Sequence, residues 1–137
     1  MTIALLLPFV TGCSSFHRDW RKAAKTEPVE IEGRWEGTWT SDASGHTDKV
    51  RCLLTPISEN TYEARFHAKY RKILSFGYTA TFTGQHTNDV FYFSGDADLG
   101  RLAGGIYTYE GRVSPRNFFS TYNSKYDHGT FEMGRPD

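Results

Sequence analysis

A chain of 137 residues has room for one domain and not for two. Its sixteen Lys and Arg balance sixteen Asp and Glu, so no global field draws it to nucleic acid. Ten Phe, eight Tyr, three Trp and thirteen Gly favour strands and tight turns over helices.

The first feature in chain order is Ile3–Val10, an apolar block of signal-peptide length. It is too short to span a bilayer, which takes about 20 residues. Pro8 and Gly12 interrupt a buried strand or helix here. Val10-Thr11-Gly12-Cys13 follows: an aliphatic residue, two small residues, then cysteine. This pattern resembles the lipobox of bacterial lipoproteins. The resemblance implies that residues 1–12 are removed as a signal peptide and that the Cys13 sulfur and the new amino terminus carry fatty acyl chains such as palmitate. Each buried methylene contributes about 0.8 kcal/mol, so several chains anchor firmly to a membrane. Ser14, in place of an Asp, implies by the same resemblance the outer membrane of a bacterial envelope, facing the periplasm.

Residues 13–29 are expected to be the lipidated cysteine and a tether, with Ser14-Ser15 flexible and Pro28 closing the segment. The basic side chains Arg18, Arg21, Lys22 and Lys25 either touch anionic headgroups or are simply solvated. With Cys13 acylated, Cys52 has no intramolecular disulfide partner. It falls on the apolar parity of a strand, as a small buried hydrophobe does.

From Glu30 onward the period is two. Ile31–Thr40 sets Ile31, Gly33, Trp35, Gly37 and Trp39 against Glu32, Arg34, Glu36, Thr38 and Thr40. Tyr62–Arg71 sets Tyr62, Ala64, Phe66, Ala68 and Tyr70 against Glu63, Arg65, His67, Lys69 and Arg71, which makes His67 an exposed strand histidine. A half-buried strand sorts side chains onto two faces in this way. Weaker alternation predicts further strands at Lys49–Thr55, Leu74–Thr83, Val90–Gly95, Gly105–Val113, Asn117–Asn123 and Thr130–Met133, with turn residues between them. Eight antiparallel strands can close into a barrel or stack as a sandwich, and short consecutive turns favour an all-β, eight-stranded antiparallel up-and-down barrel over residues 30–137.

Gly33-Arg34-Trp35 at the start of the first strand resembles the Gly-X-Trp signature of lipocalins and related calycin barrels. In those proteins the Trp closes the barrel floor and an Arg just after the last strand lies across its ring. The resemblance therefore implies a calycin-like barrel with a clasp between Trp35 and Arg135, a cation–π contact of about 1 kcal/mol.

Strand parity gathers segments 41–48, 70–74, 95–104 and 124–129 at the rim opposite the floor, where long loops suit a binding mouth. That rim holds Asp42, His46, Asp48, Asp96, Asp98, Asp127 and His128, which could ligate a cation or act as acid and base in a hydrolase. Loops carry such residues for turn and solubility reasons, and no elbow, P-loop, HExxH or CxxC pattern occurs, so no catalytic set, metal or cofactor is expected.

The interior set is Trp35, Trp39, Val50, Leu54, Tyr62, Phe66, Tyr70, Phe76, Tyr78, Phe82, Tyr107 and Tyr109. A barrel this size is either filled by its side chains or holds one small ligand. The leading expectation is a non-enzymatic, envelope-anchored barrel binding a small apolar or amphiphilic molecule through Trp39, Phe66, Tyr70, Phe76, Tyr78, Tyr107 and Tyr109. The rival is a protein-interaction module, an inhibitor or accessory subunit with a filled core, which would use rim residues such as Tyr122, Tyr126, Asp127 and His128.

Overall fold

The computed structural model describes residues 7–71, 74–100 and 105–136, with side chains described from residue 15 onward. One helix, α1 (Leu7–Ala23), precedes eight strands: β1 (Gly33–Ser41), β2 (Thr47–Ser58), β3 (Thr61–Tyr70), β4 (Leu74–Thr87), β5 (Val90–Asp98), β6 (Ile106–Val113), β7 (Asn117–Asn123) and β8 (His128–Gly134). Each strand pairs antiparallel with the next, and β8 returns to β1 to close an up-and-down barrel. Closure gives every strand a neighbour on both sides, with Leu74–Ala80 of β4 paired to β3 alone at the mouth.

Alternation builds the wall. Trp35 and Trp39 of β1, Val50, Cys52 and Leu54 of β2, and Tyr62, Ala64, Phe66 and Ala68 of β3 all point inward and are buried. The one irregularity in the β2–β3 ladder falls between Pro56 and Ser58, where proline, having no N–H, interrupts the register. At Gly111 a side chain would be driven into the Phe119 carbonyl and the Phe93 ring, so glycine there lets β6 close on β7 above the core.

The interior is ring on ring. Phe82 stacks on Phe93 at 4.1 Å, and Phe66 lies 5.0 Å from Tyr78 and 5.3 Å from Phe131. Burying one such side chain contributes about 1.5–3 kcal/mol, so this cluster carries most of the packing energy. It also contains Phe91, Phe93, Val113, Phe118, Tyr122, Phe131 and Met133, which the interior set read from the sequence omits.

The floor is shut by Trp35, whose Nε1 donates to the Ile31 carbonyl at 2.9 Å. The Arg135 guanidinium lies over the Trp35 ring, 3.9 Å from its centre. It also donates to the carbonyls of Glu30 (2.8 Å), Glu32 (2.8 Å), Arg34 (3.0 Å) and Pro115 (3.1 Å). One side chain thereby joins the approach to β1, the β6–β7 turn and the end of β8. Gly33 takes φ of +97°, a backbone that side chains rarely adopt.

Two expectations are corrected here. Residues 15–23, read as part of a solvated tether, are the second half of α1 docked on the outer wall, and the Cys13 side chain lies outside the described residues. Phe16 and Trp20, one helical turn apart, are buried against Leu53 of β2. Arg51 and Arg34 cover the Trp20 ring at 4.8 and 5.4 Å, and Asp19 pairs with Arg65 at 2.7 Å. His67, read as an exposed strand histidine, does point away from the barrel interior, but α1 covers it. Its ring stacks on Phe16 at 5.3 Å and meets His17 edge-on at 4.8 Å. Burial, with the positive groups of His17, Arg51 and Lys69 nearby, holds the His67 pKa below the ordinary histidine value.

Candidate functional site: an aromatic cavity at the barrel mouth

The lower part of the barrel is filled, and open space begins above Phe66. A cavity of about 140 Å³ sits in the mouth, walled by Trp39, Tyr70, Phe76, Tyr78, Leu99, Tyr107, Tyr109 and Phe131, with Ala68, Tyr122 and Asp127 completing the lining. It needs contributions from six strands, with Leu99 from just past β5 and Asp127 from the β7–β8 turn, because inward positions near the upper ends of the strands converge there. Trp39 is held in place by its Nε1, which donates to the Lys69 carbonyl at 2.9 Å across the barrel wall. Tyr70 stacks parallel to Trp39 at 6.2 Å, so two flat rings form one side.

Six of the seven interior residues singled out from the sequence (Trp39, Tyr70, Phe76, Tyr78, Tyr107 and Tyr109) come together around this space. Phe66 does not line it; it is stacked between Tyr78 and Phe131 beneath. Tyr70 and Phe76 are 37% and 39% exposed, so they stand at the lip and not in the core. Ala68, Leu99 and Phe131 were missed as lining residues. Ala68 and Phe131 lie on inward parities that the alternation shows, whereas Leu99 lies just past the end of β5, where alternation stops.

The cavity has two polar features. Asp127 Oδ1 accepts from the Ser41 hydroxyl at 2.6 Å, and its Oδ2 accepts from the Tyr122 hydroxyl at 3.0 Å. Burial, followed by the adjacent Asp127 carboxylate, pushes the Tyr122 phenol above the ordinary tyrosine range. The second feature is Tyr109, which is 1% exposed and whose hydroxyl has the Tyr78 hydroxyl for a polar neighbour but makes no well-directed hydrogen bond among the described residues. Burial dominates the upward shift of both Tyr109 and Tyr78, whose phenols are neighbours. A buried hydroxyl left without any partner costs about 1–3 kcal/mol, and a ligand oxygen or nitrogen here would complete what the Tyr78 neighbour satisfies in part.

The rim carboxylates and histidines do not converge. His128 Nδ1 is 3.4 Å from Asp42, His46 Nε2 is 3.6 Å from Asp48, and Asp98 accepts from the Gly100 N–H at 2.9 Å. Asp96 sits exposed on β5, paired with Thr81 and Thr108. No group of three or more metal-ligating side chains is gathered among the described residues. Tyr126, a candidate partner residue, is 72% exposed at the β7–β8 turn. Buried Cys52 faces Trp35 and Phe66 across the strands, and burial raises its thiol pKa well above the ordinary value.

No protein-family model and no curated protein matches the chain. Among solved structures it is similar to a redesigned β-barrel, with a TM-score of 0.59 and 16% identity, covering 78% of this chain and 92% of that one. A second redesigned β-barrel, mFAP1, bound to DFHBI, gives a TM-score of 0.58 and 16% identity over 77% of this chain and 94% of its own. The likeness is one of fold.

Proposed function

We propose that this chain is a non-enzymatic lipoprotein of the bacterial envelope whose barrel mouth binds a small apolar or amphiphilic molecule, of the size of a single aromatic ring. The observation that carries the ligand reading is the ring-lined mouth cavity of about 140 Å³ with the buried Tyr109 hydroxyl in its wall. An apolar cavity of about 150 Å³ is large enough for benzene. One of the similar barrels is bound to DFHBI, an instance of this architecture holding a small molecule.

The anchor reading rests on Val10-Thr11-Gly12-Cys13. At His17, α1 lies beside Lys49 and Lys69 on the mouth-ward part of the wall, and by Ala23 it has come to Arg34, Leu54, Pro56 and Arg135 at the floor. An acyl group on Cys13 would therefore start from the mouth-ward side of the barrel. This would bring the mouth toward a lipid surface, the place to collect an amphiphile.

Phenol tests the ligand reading, because its ring fits the cavity and its hydroxyl reaches Tyr109. Saturable binding by calorimetry is expected, with loss in Ala68→Phe, which fills the space. No heat with phenol, benzene or indole would remove the reading. Labelling of cells with radioactive palmitate tests the anchor: incorporation is expected in the native chain and none in Cys13→Ser.

A second reading, a protein-interaction module, draws on the filled lower barrel and on the apolar collar around the mouth. Leu74, Ile106 and Tyr126 are exposed there by 60%, 62% and 72%. Capture of one defined envelope protein, lost in Ile106→Asp but retained in Ala68→Phe, would favour it.

A further inference from the structure

Away from the mouth, a groove of about 210 Å³ runs between α1 and the outer wall, lined by His17, Lys49, Val50, Arg51, His67 and Lys69. Five of these six side chains are basic. The β2–β3 register sets Arg51 against His67 and Val50 against Ala68, which brings Lys49 to the level of Lys69. Cations directly opposite one another on a sheet repel and destabilise it. The chain as a whole is neutral, so this grouping is local and does not reflect an excess of lysine and arginine.

The carboxylates nearby offset only one of these cations, Arg51. Asp19 of α1 is engaged by Arg65 at 2.7 Å, and Glu36 reaches only Arg51, at 3.5 Å. No ion pair joins Lys49 or Lys69 to a carboxylate among the described residues. The groove wall is also held firmly: Phe16 stacks on His67, and Trp20 lies under Arg51. A fixed guanidinium fork, two flexible ammonium groups and two imidazoles around one space match the several oxygens of a phosphate group.

We propose that this groove is a binding site for a phosphate group, carried either by an anionic phospholipid headgroup or by a free phosphate compound. The site stands independently of the mouth cavity, since it lies on the outside of the barrel and shares no residue with it.

Two measurements on the full chain separate the sources. In the first, inorganic phosphate is added at constant ionic strength while the imidazole proton signals of His17 and His67 are followed. In the second, co-sedimentation with phosphatidylglycerol–phosphatidylcholine vesicles is compared with phosphatidylcholine vesicles alone. Both are repeated with Lys49→Gln/Lys69→Gln and with Arg116→Gln/Lys125→Gln, which removes equal charge elsewhere on the surface.

A saturable shift of the two histidines identifies free phosphate as a ligand, and a preference for phosphatidylglycerol identifies the headgroup. Either response is expected to weaken on the order of tenfold in the Lys49/Lys69 variant and to persist in the control. The proposal is overturned if neither response occurs, or if the groove and control variants respond alike.

Discussion

Arg135 lies face-on to Trp35, its guanidinium carbon 3.9 Å from the ring centre, while the same group donates to four backbone carbonyls of the floor. The ring supplies an electron-rich face, the carbonyls supply acceptors, and the planar fork meets both at once. Arg135→Ala removes the contact and strands those acceptors, and is expected to cost about 2–4 kcal/mol. Arg135→Lys keeps the charge but loses the fork, and should recover only a minor part. Urea denaturation with an unchanged m-value measures both. A loss below about 0.5 kcal/mol for the alanine variant, the range of ordinary surface substitutions, would show that the clasp is ornamental to stability.

Gly33, the glycine of Gly-X-Trp, sits at φ +97° beside the Arg135 guanidinium. Gly33→Ala should destabilise by about 1–2 kcal/mol through backbone strain alone. A change near zero in thermal unfolding would mean that the turn into β1 relaxes.

His67 makes helix docking sensitive to acid. Its pKa is lowered in the folded protein, first by burial and then by His17, Arg51 and Lys69. The unfolded or undocked chain therefore binds the proton more readily. Docking is weakened as pH falls from the ordinary histidine value toward the lowered one, and is unaffected above that window. Phe16→Ala, which uncovers the ring, should return the His67 titration toward the ordinary value of about 6.5. Titration followed by proton NMR reads this directly, and identical curves for native protein and variant would contradict the docking.

At the alkaline end the barrel interior titrates late. Tyr78, Tyr109 and Tyr122 have phenols pushed upward chiefly by burial, so the unfolded chain ionises them first. Their stabilisation is full below about pH 10 and is lost as pH climbs through their raised values. Phenolate absorbance from this buried set should appear only together with loss of near-ultraviolet dichroism. A single smooth step near pH 10 would show that the mouth is wetter than the structure describes.

Much of the wall was legible because burial on one face leaves a period-two record, and β1 and β3 carry it almost without error. It thins out in β5, β7 and β8, where short strands alternate with glycine and serine, so Phe91, Phe93, Phe118 and Phe131 escaped the inward set. The docking of α1 was hidden for a different reason. Phe16 and Trp20 have helical spacing, but they stand among Arg18, Arg21 and Lys22, and a run of cations reads as solvated until Asp19 and the Arg65 that meets it are seen together. Cavity size was out of reach altogether, since it depends on how the rings of residues far apart in sequence tilt against one another. Trp39 and Tyr70 are 31 positions apart and Tyr78 and Tyr109 are 31 apart, yet all four border the same space.

Because β8 lies beside β1, the barrel's first and last strands are hydrogen-bonded neighbours, with Glu36 opposite Gly134. Nothing in the architecture depends on which hairpin the ribosome leaves uncut. A circularly permuted gene that links Pro136 to Glu30 and opens the chain between β3 and β4 would draw the same cylinder, with its free ends moved from the sealed base to the open lip.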